Sequence, residues 1–291
     1  MRKGVALLIT ITVISTLLAL IGVSFSYLER AKKDSADTAS IIQANIFYKD
    51  IAKTLITLLK GKNSQDVIST LYLAPQTIAE QKGDFFLTIG CEPLSNGADI
   101  NWLGLASDEK SNAKFNIAST LFDEVASKYD IDDAQTLLKL IIEDIEGKES
   151  SQRLKQKKGI ISKNQFDIIL KRYFQESSDI KVFSIPWRKY FSFLSKESMI
   201  DSKYVSAEFI SLLFGIDIIT AQDDWIVGED LLKFLQDQSV DLALYNNKIF
   251  SKSLLKSMEC SSNYSYNGGI YKFSFNYLDG RVGYFEFYGK Q

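Results

Sequence analysis

Histidine is absent from this 291-residue sequence. Without imidazole there is no Ser-His-Asp or Cys-His catalysis, no histidine metal ligand and no imidazole pH switch. Cysteine is nearly absent as well. Cys91 and Cys260 are the only two, too few for a thiolate metal cage and too far apart for a Cys-x-x-Cys redox pair. Charge of either sign is not in surplus: 34 Lys plus Arg stand against 36 Asp plus Glu, a formal net charge of −2. The chain therefore lacks the bulk basic character that a phosphate backbone demands, and nucleic acid is disfavoured as a partner. No P-loop, G-x-G-x-x-G or G-x-S-x-G pattern occurs, so no catalytic apparatus is visible and the expectation is a protein that is not an enzyme. What remains, 46% hydrophobic and 24% charged residues, is ordinary globular composition.

What the sequence does have is one long apolar run. Met1, Arg2, Lys3 and Gly4 precede Val5 to Ser26, which carries no charge. Its ~22 residues, at ~1.5 Å rise each, make a helix about 33 Å long, enough to cross a hydrocarbon core of about 30 Å. Arg2 and Lys3 favour a cytoplasmic N-terminus, with Arg30, Lys32 and Lys33 weakening the asymmetry. Three readings stand. A secretory signal is disfavoured by the length of the run and by its only small-x-small site, Ser24-Phe25-Ser26. An uncleaved anchor is the second. The third, favoured here, is a pilin-type segment: a short basic leader ending in Gly4, directly before Val5-Ala6-Leu7-Leu8-Ile9.

The helical pattern continues past the apolar run. Ile41, Ala44, Tyr48, Ile51, Leu55 and Leu58 recur at helical spacing, and Lys60-Gly61 supplies a stop, which predicts one helix of some 55 residues. The alternative is two helices hinged near Asp34-Ser35. A second helix is expected from Ser64 to Leu73, ended by Pro75, then a strand from Asp84 to Ile89 and a loop-like stretch from Gly90 to Lys114. Ser119 is read as the cap of the next helix, and Asp132-Asp133 as the opening of another through Ile145. Further helices are expected at Lys163 to Phe174, Ser206 to Phe214 and Gly228 to Asp237. Strands then return at Val240 to Tyr245 and Lys248 to Phe250. Tyr271, Phe273, Phe275 and Tyr277 alternate with polar residues before the hairpin signal Asp279-Gly280 and a strand from Arg281 to Tyr288. Such an aromatic row at period two reads as the core face of a sheet. The fold class is therefore α+β: a long N-terminal helix, membrane-spanning and then amphipathic, packed on an antiparallel sheet, with a large all-helical module inserted between strands. The expected boundaries are a leader 1–4, a transmembrane segment 5–26, the rest of the long helix 27–62, first sheet part 63–115, helical module 116–237 and C-terminal strands 238–291.

Arg2-Lys3-Gly4 before Val5-Ala6-Leu7-Leu8-Ile9, the long helix and the inserted helical module together resemble the minor pseudopilin K family of the type II secretion system. Lys114-Phe115-Asn116-Ile117-Ala118-Ser119 is loosely similar to the stretch that leads into that family's first helical pair. Ile200 to Glu208 is similar to the stretch leading into the next, although Asp201 and Ser202 stand where the family is asparagine-rich. The resemblance implies cleavage between Gly4 and Val5 by a prepilin peptidase, N-methylation of Val5, and a single-pass inner-membrane protein with a cytoplasmic N-terminus and a periplasmic C-terminal domain. It also implies an inner-membrane assembly platform and other minor pseudopilins as partners in a tip complex that caps and initiates a periplasmic pseudopilus. Ile9, fifth from Val5, stands where most pilins have glutamate. A carboxylate buried in lipid is costly unless paired, and a tip subunit has no neighbour above it to satisfy. The rival meaning of Ile9 is a plain anchored protein with nothing to lose there. Rival functions are a minor pilin-like subunit of a type IV pilus or DNA-uptake machine, and a single-pass periplasmic protein with an uncleaved anchor.

Candidate chemistry is sparse. Glu143, Asp144 and Glu146 cluster, but on a charged helix end they read as solvated surface rather than as an acid–base pair. Asp130, Asp132 and Asp133 faintly resemble the opening of a calcium loop that lacks its glycine and its distal glutamate, and helix capping is the preferred reading. The family resemblance implies calcium, for which Asp223, Asp224, Glu229 and Asp230 are further candidates, with no ligand carried over by position. In an oxidising periplasm Cys91 and Cys260 are either a disulfide or two buried thiols, and the sequence leaves both open.

Overall fold

An uncharged run followed by a polar stretch without proline or glycine leaves nothing to stop a helix. In the computed structural model α1 runs unbroken over Arg2–Leu59, 58 residues and about 87 Å at the usual rise. The structure describes residues 2–61, 63–79, 86–106, 112–147, 159–195 and 198–291, with side chains from residue 24 onward. There is no hinge at Asp34-Ser35, where the Thr38 hydroxyl donates to the Asp34 carbonyl at 2.9 Å within the continuous helix. The helix ends as Lys60-Gly61 predicts, with the Gly61 N–H on the Leu58 carbonyl at 3.2 Å. α2, Ser64–Leu73, stops where Pro75 forces Ala74 into an extended conformation.

Seven strands follow among the described residues: β1 Gln76–Ala79, β2 Phe86–Pro93, β3 Ala98–Asp99, β4 Phe191–Ser192, β5 Ser257–Tyr266, β6 Gly269–Leu278 and β7 Arg281–Lys290. Five form one sheet in the order β1-β2-β5-β6-β7. Two tight hairpins close its C-terminal half. Asn267-Gly268 and Asp279-Gly280 each place both central residues at positive φ, the mirror-image turn that matches strand twist. Tyr271, Phe273, Phe275 and Tyr277 are all buried, so the aromatic row is core.

The chain divides into two compact units, one of residues 1–91, 260–276 and 281–291, the other of residues 92–259 and 277–280. In the first, α1 lies on the sheet. The Tyr48 ring centroid is 5.4 Å from that of Phe275 and 5.0 Å from that of Phe285, and Phe47 is 5.3 Å from Tyr264. Tyr264 also donates its hydroxyl to the Ser40 carbonyl at 2.6 Å. The buried stripe differs from the one read in the sequence: Ser40, Ala44, Ala52, Leu55 and Leu59 are buried, whereas Ile41 and Leu58 are 42% and 48% exposed. The row in contact steps by four more often than by three, and small residues at Ser40, Ala44 and Ala52 let the backbone approach the aromatic face.

The second unit is built on α3 Asn112–Lys128, α4 Ala134–Glu146, α5 Lys163–Ser177, α6 Ala207–Phe214, α7 Ile218–Asp224 and α8 Leu231–Asp237. Its core includes Trp102, Phe122, Phe166, Tyr173, Trp187 and Phe209. Several sequence expectations are corrected here. The unit reaches from Glu92 to Glu259 rather than from 116 to 237, and it is not all-helical, because β3 and β4 pair in parallel within it. Gly97 is required there, since a Cβ would lie 2.3 Å from the Tyr190 carbonyl oxygen. The stretch Gly90 to Lys114 is not simply loop: Ile100–Leu105 is a buried 3-10 helix that Asp99 caps. Ser119 lies inside α3 and caps nothing, because the helical pattern already holds at Ile117 and Ala118, both buried. Val240 to Tyr245 and Lys248 to Phe250 form no strand: they are irregular chain and turns, with Phe250 alone making an isolated parallel bridge to Ile200. Asp241 accepts from the Ala243 N–H at 2.9 Å and Asn246 from the Lys248 N–H at 2.8 Å, local bonds that compete with a ladder.

Cys91 and Cys260 form a disulfide across 169 positions of sequence, bonding β2 to its sheet neighbour β5. The bond encloses Glu92–Glu259, nearly the whole of the second unit. By chain-entropy arithmetic a closure of this length is worth about 5 kcal/mol. Replacing both residues by alanine is expected to lower urea-unfolding stability by several kcal/mol, and an unchanged midpoint would mean that non-covalent contacts alone hold the two crossings.

Candidate functional site

Where the inserted segment begins and ends, polar side chains of the second unit gather. Just inside the disulfide, Arg188 pairs with Glu92 at 3.7 Å and also with Glu259, so one guanidinium binds both ends of the inserted segment. The Leu94 N–H donates to the Ser257 carbonyl at 3.1 Å, and the Ser95 and Ser257 hydroxyls bond each other. Asp201 completes the root. Its N–H donates to the Ser95 carbonyl at 2.7 Å, while its carboxylate accepts the Lys203 N–H at 3.1 Å and the Leu255 N–H at 2.9 Å. Ser202 adds a hydroxyl bond to the Ser251 carbonyl. The Ile200 to Glu208 stretch is therefore the strap that fastens the returning chain.

A second buried carboxylate, Asp99, organises the same unit deeper in. It accepts from the Asn101 N–H at 2.9 Å, the Asn101 amide at 2.7 Å, the Leu194 N–H at 2.8 Å and the Ser198 hydroxyl at 3.2 Å. Asn101 in turn bonds both the N–H and the carbonyl of Ile160, at 2.7 and 2.9 Å. Burial pushes Asp99 and Asp201 from 3.8 to about 6, against the hydrogen bonds that favour the ionised form. These groups bind protons more tightly folded than unfolded. Their stabilising effect is full below about pH 4 and is lost as pH rises through about 6.

The residues singled out from sequence fall into separate places. Gly4, Val5 and Ile9 lie on the backbone of α1, and their side chains lie outside the described residues. So does most of Val5 to Ser26. Among the described residues no helix is long and apolar enough to cross a membrane. Glu143 pairs with Arg172 at 3.3 Å and Lys139 at 3.9 Å, and Asp144 is buried, accepting from the Gln165 amide at 2.8 Å. Glu146 ends the same helix. Glu143 and Asp144 thus form a polar seam between α4 and α5.

The calcium candidates do not converge. The Lys181 ammonium holds Asp132 at 2.7 Å and Asp130 at 3.3 Å, a cation already supplied by the chain. Asp133 caps α4 through the Thr136 N–H at 3.0 Å. Asp230 caps α8 through the Leu232 N–H at 2.9 Å, and Asp224 takes the Gln238 amide at 3.3 Å. Among the described residues no group of three or more metal-ligating side chains gathers, so these residues do not fit a calcium cage. Sequence reading assigns no role to Arg188 or Asp99, and it marks Asp201 only as a departure from the asparagine-rich stretch of the resembled family. Asp99 carried a signal, an acid between Ala98 and Ile100. Arg188 carried none, because its partners lie ~70 to ~100 residues away.

Two measurements check this assignment. Urea unfolding of the full chain should show stability falling between about pH 4.5 and 7, by at most about 3 kcal/mol per buried carboxylate, and Asp201→Asn should flatten part of that slope. Asp230→Ala should cost about 1 kcal/mol as a lost helix cap, and the loss should be the same in calcium and in chelator. A loss confined to calcium buffer would instead make Asp230 a ligand.

No protein-family model and no curated protein matches the sequence. A solved structure does: a chain in the crystal structure of the GspK-GspI-GspJ complex from the enterotoxigenic Escherichia coli type 2 secretion system. The match has a TM-score of 0.51 at 13% identity and covers 87% of this chain and 97% of that one. The likeness is one of fold, and the chain has a pseudopilin-like α+β architecture.

Proposed function

We propose that this protein is a minor pseudopilin of a type II secretion system, a non-catalytic subunit that caps the tip of a periplasmic pseudopilus and starts its assembly with other minor pseudopilins. One observation carries the reading. The uncharged run behind Arg2-Lys3-Gly4 belongs to the same unbroken helix that lies on the sheet, so a membrane store and a filament core can be one element. Further support comes from α1 itself, which leaves Ile42 and Ile46 exposed, an apolar row for a neighbouring subunit's helix. In this reading a prepilin peptidase cuts between Gly4 and Val5 and Val5 is N-methylated. The chain then waits in the inner membrane with its C-terminal units in the periplasm, until the assembly platform extracts it. Ile9 has no carboxylate to pair, as befits a subunit with no neighbour above it. The inserted unit adds bulk that would not repeat along a thin filament, which favours the tip. The fold likeness to a chain of the GspK-GspI-GspJ complex is consistent with such partners.

The test is mass spectrometry of the N-terminal peptide of protein purified from native membranes. The expected result is an N-methylated Val5. An intact Met1 would overturn the reading in favour of a plain anchor, and a start near Tyr27 in favour of a released protein.

A further inference from the structure

The turn between α7 and α8 holds out two aliphatic side chains that nothing in their unit covers. Ile226 is 59% and Val227 56% exposed. The turn is not slack. Trp225, just before them, is buried, and its indole N–H donates to the Val205 carbonyl at 3.0 Å. Gly228, just after them, donates its N–H to the Lys203 carbonyl at 2.6 Å, and the Glu229 N–H bonds the Ile226 carbonyl at 3.1 Å. Gly228 sits at φ 101, a conformation that lets the chain double back and that side chains other than glycine's resist. Both flanks are thus pinned while the two β-branched residues between them face outward. Stiff apolar side chains on a fixed turn lose little freedom on being buried, which is what an interface anchor requires.

Charge surrounds this prong on both sides. Asp223 and Asp224 precede it and Glu229 and Asp230 follow, all four exposed, and no cation occurs between Asp223 and Asp230. Lys203, whose carbonyl takes the Gly228 N–H, is half-buried, and Lys233 is exposed on α8. The acids flank the prong rather than converge. Asp230 is spent on a helix cap and Asp224 on Gln238, while Asp223 and Glu229 hold no partner among the described residues. An exposed apolar pair between carboxylates has a definite complement. The surface that buries it must offer an apolar pocket, and it must place cations at the rim, since like charges there would be repelled.

We propose that Ile226 and Val227 are a docking prong for a protein partner with an apolar pocket bordered by Lys or Arg side chains. An anionic lipid surface is the wrong sign for this rim. The inference rests on the second unit alone and stands whether or not the pseudopilin reading holds.

The test uses the full-length chain in the intact cells that naturally make it, with the photoreactive residue benzoylphenylalanine placed at Val227 and, as a control, at the exposed Lys139. The expected result is a protein adduct from Val227 and none from Lys139. Mass spectrometry should place the partner's cross-linked peptide in a stretch of net positive charge. Asp223→Lys together with Glu229→Lys should then reduce the adduct at least tenfold at unchanged chain abundance, and Asp223→Asn with Glu229→Gln should reduce it less. No adduct above the control, an adduct to lipid, a neutral or acidic partner peptide, or an adduct indifferent to the charge reversal would each overturn the proposal.

Discussion

Everything between β2 and β5 has to leave the sheet at one point and return beside it. These two strands are neighbours, so an excursion spanning Glu92–Glu259 must begin and end within the spacing of a single strand pair. Several interactions share that task, and they differ in strength. The Arg188 pairs are partly exposed, and such ion pairs are worth little individually. The Asp201 carboxylate is different, because it is buried and its two oxygens are the acceptors for two backbone N–H groups whose loss would leave donors unpaired. The covalent bond between Cys91 and Cys260 acts on a third footing, by restricting the unfolded chain rather than by stabilising a contact. A loop can be inserted into a sheet cheaply only if its ends meet, and here three kinds of chemistry make them meet.

The long helix obeys a simpler constraint. Its second half must present one face narrow enough for an aromatic sheet to reach the backbone, and the small residues Ser40, Ala44 and Ala52 do this. Tyr264 exploits the approach by bonding a main-chain carbonyl. The opposite face carries no such demand, and it retains both aliphatic residues and hydroxyls that bond back onto the helix, as Thr54 does to the Asp50 carbonyl.

Much of this was legible in the sequence where the signal was local. Ser64–Leu73 ended where Pro75 required. The Asp279-Gly280 hairpin, the cap at Asp133 and the helix running to Phe214 followed from residue type and spacing alone. The errors came where burial overrides composition. Gly90 to Lys114 is rich in polar residues, yet Asp99 and Asn101 are polar because they satisfy buried backbone groups, and Ile100, Trp102 and Leu103 beside them are core. Val240 to Tyr245 has strand-forming residues, but Asp241 and Asn246 spend the backbone on turns. Ile41 and Leu58 fitted a helical period as well as Ser40 and Leu59 do, and only the position of the sheet decides between them. At the candidate site, Cys91 and Cys260 could be named but not paired, and Arg188 could not be found at all, because long-range partners leave no trace in local pattern.

The sheet's strand order also sets a sequence of events in time. β5, β6 and β7 are joined by two-residue turns and can zip together within a short stretch of chain, whereas the β2–β5 pairing joins segments more than a hundred and fifty positions apart and carries the loop-closure cost of that distance. During synthesis α1, β1 and β2 emerge long before the strands that complete their sheet. The aromatic face that buries α1 is supplied by β5, β6 and β7, which are made after the whole inserted segment. Until they arrive the first unit lacks most of its sheet, and the thiols of Cys91 and Cys260, one on each strand of the β2–β5 pair, come within reach of each other only when that pairing forms.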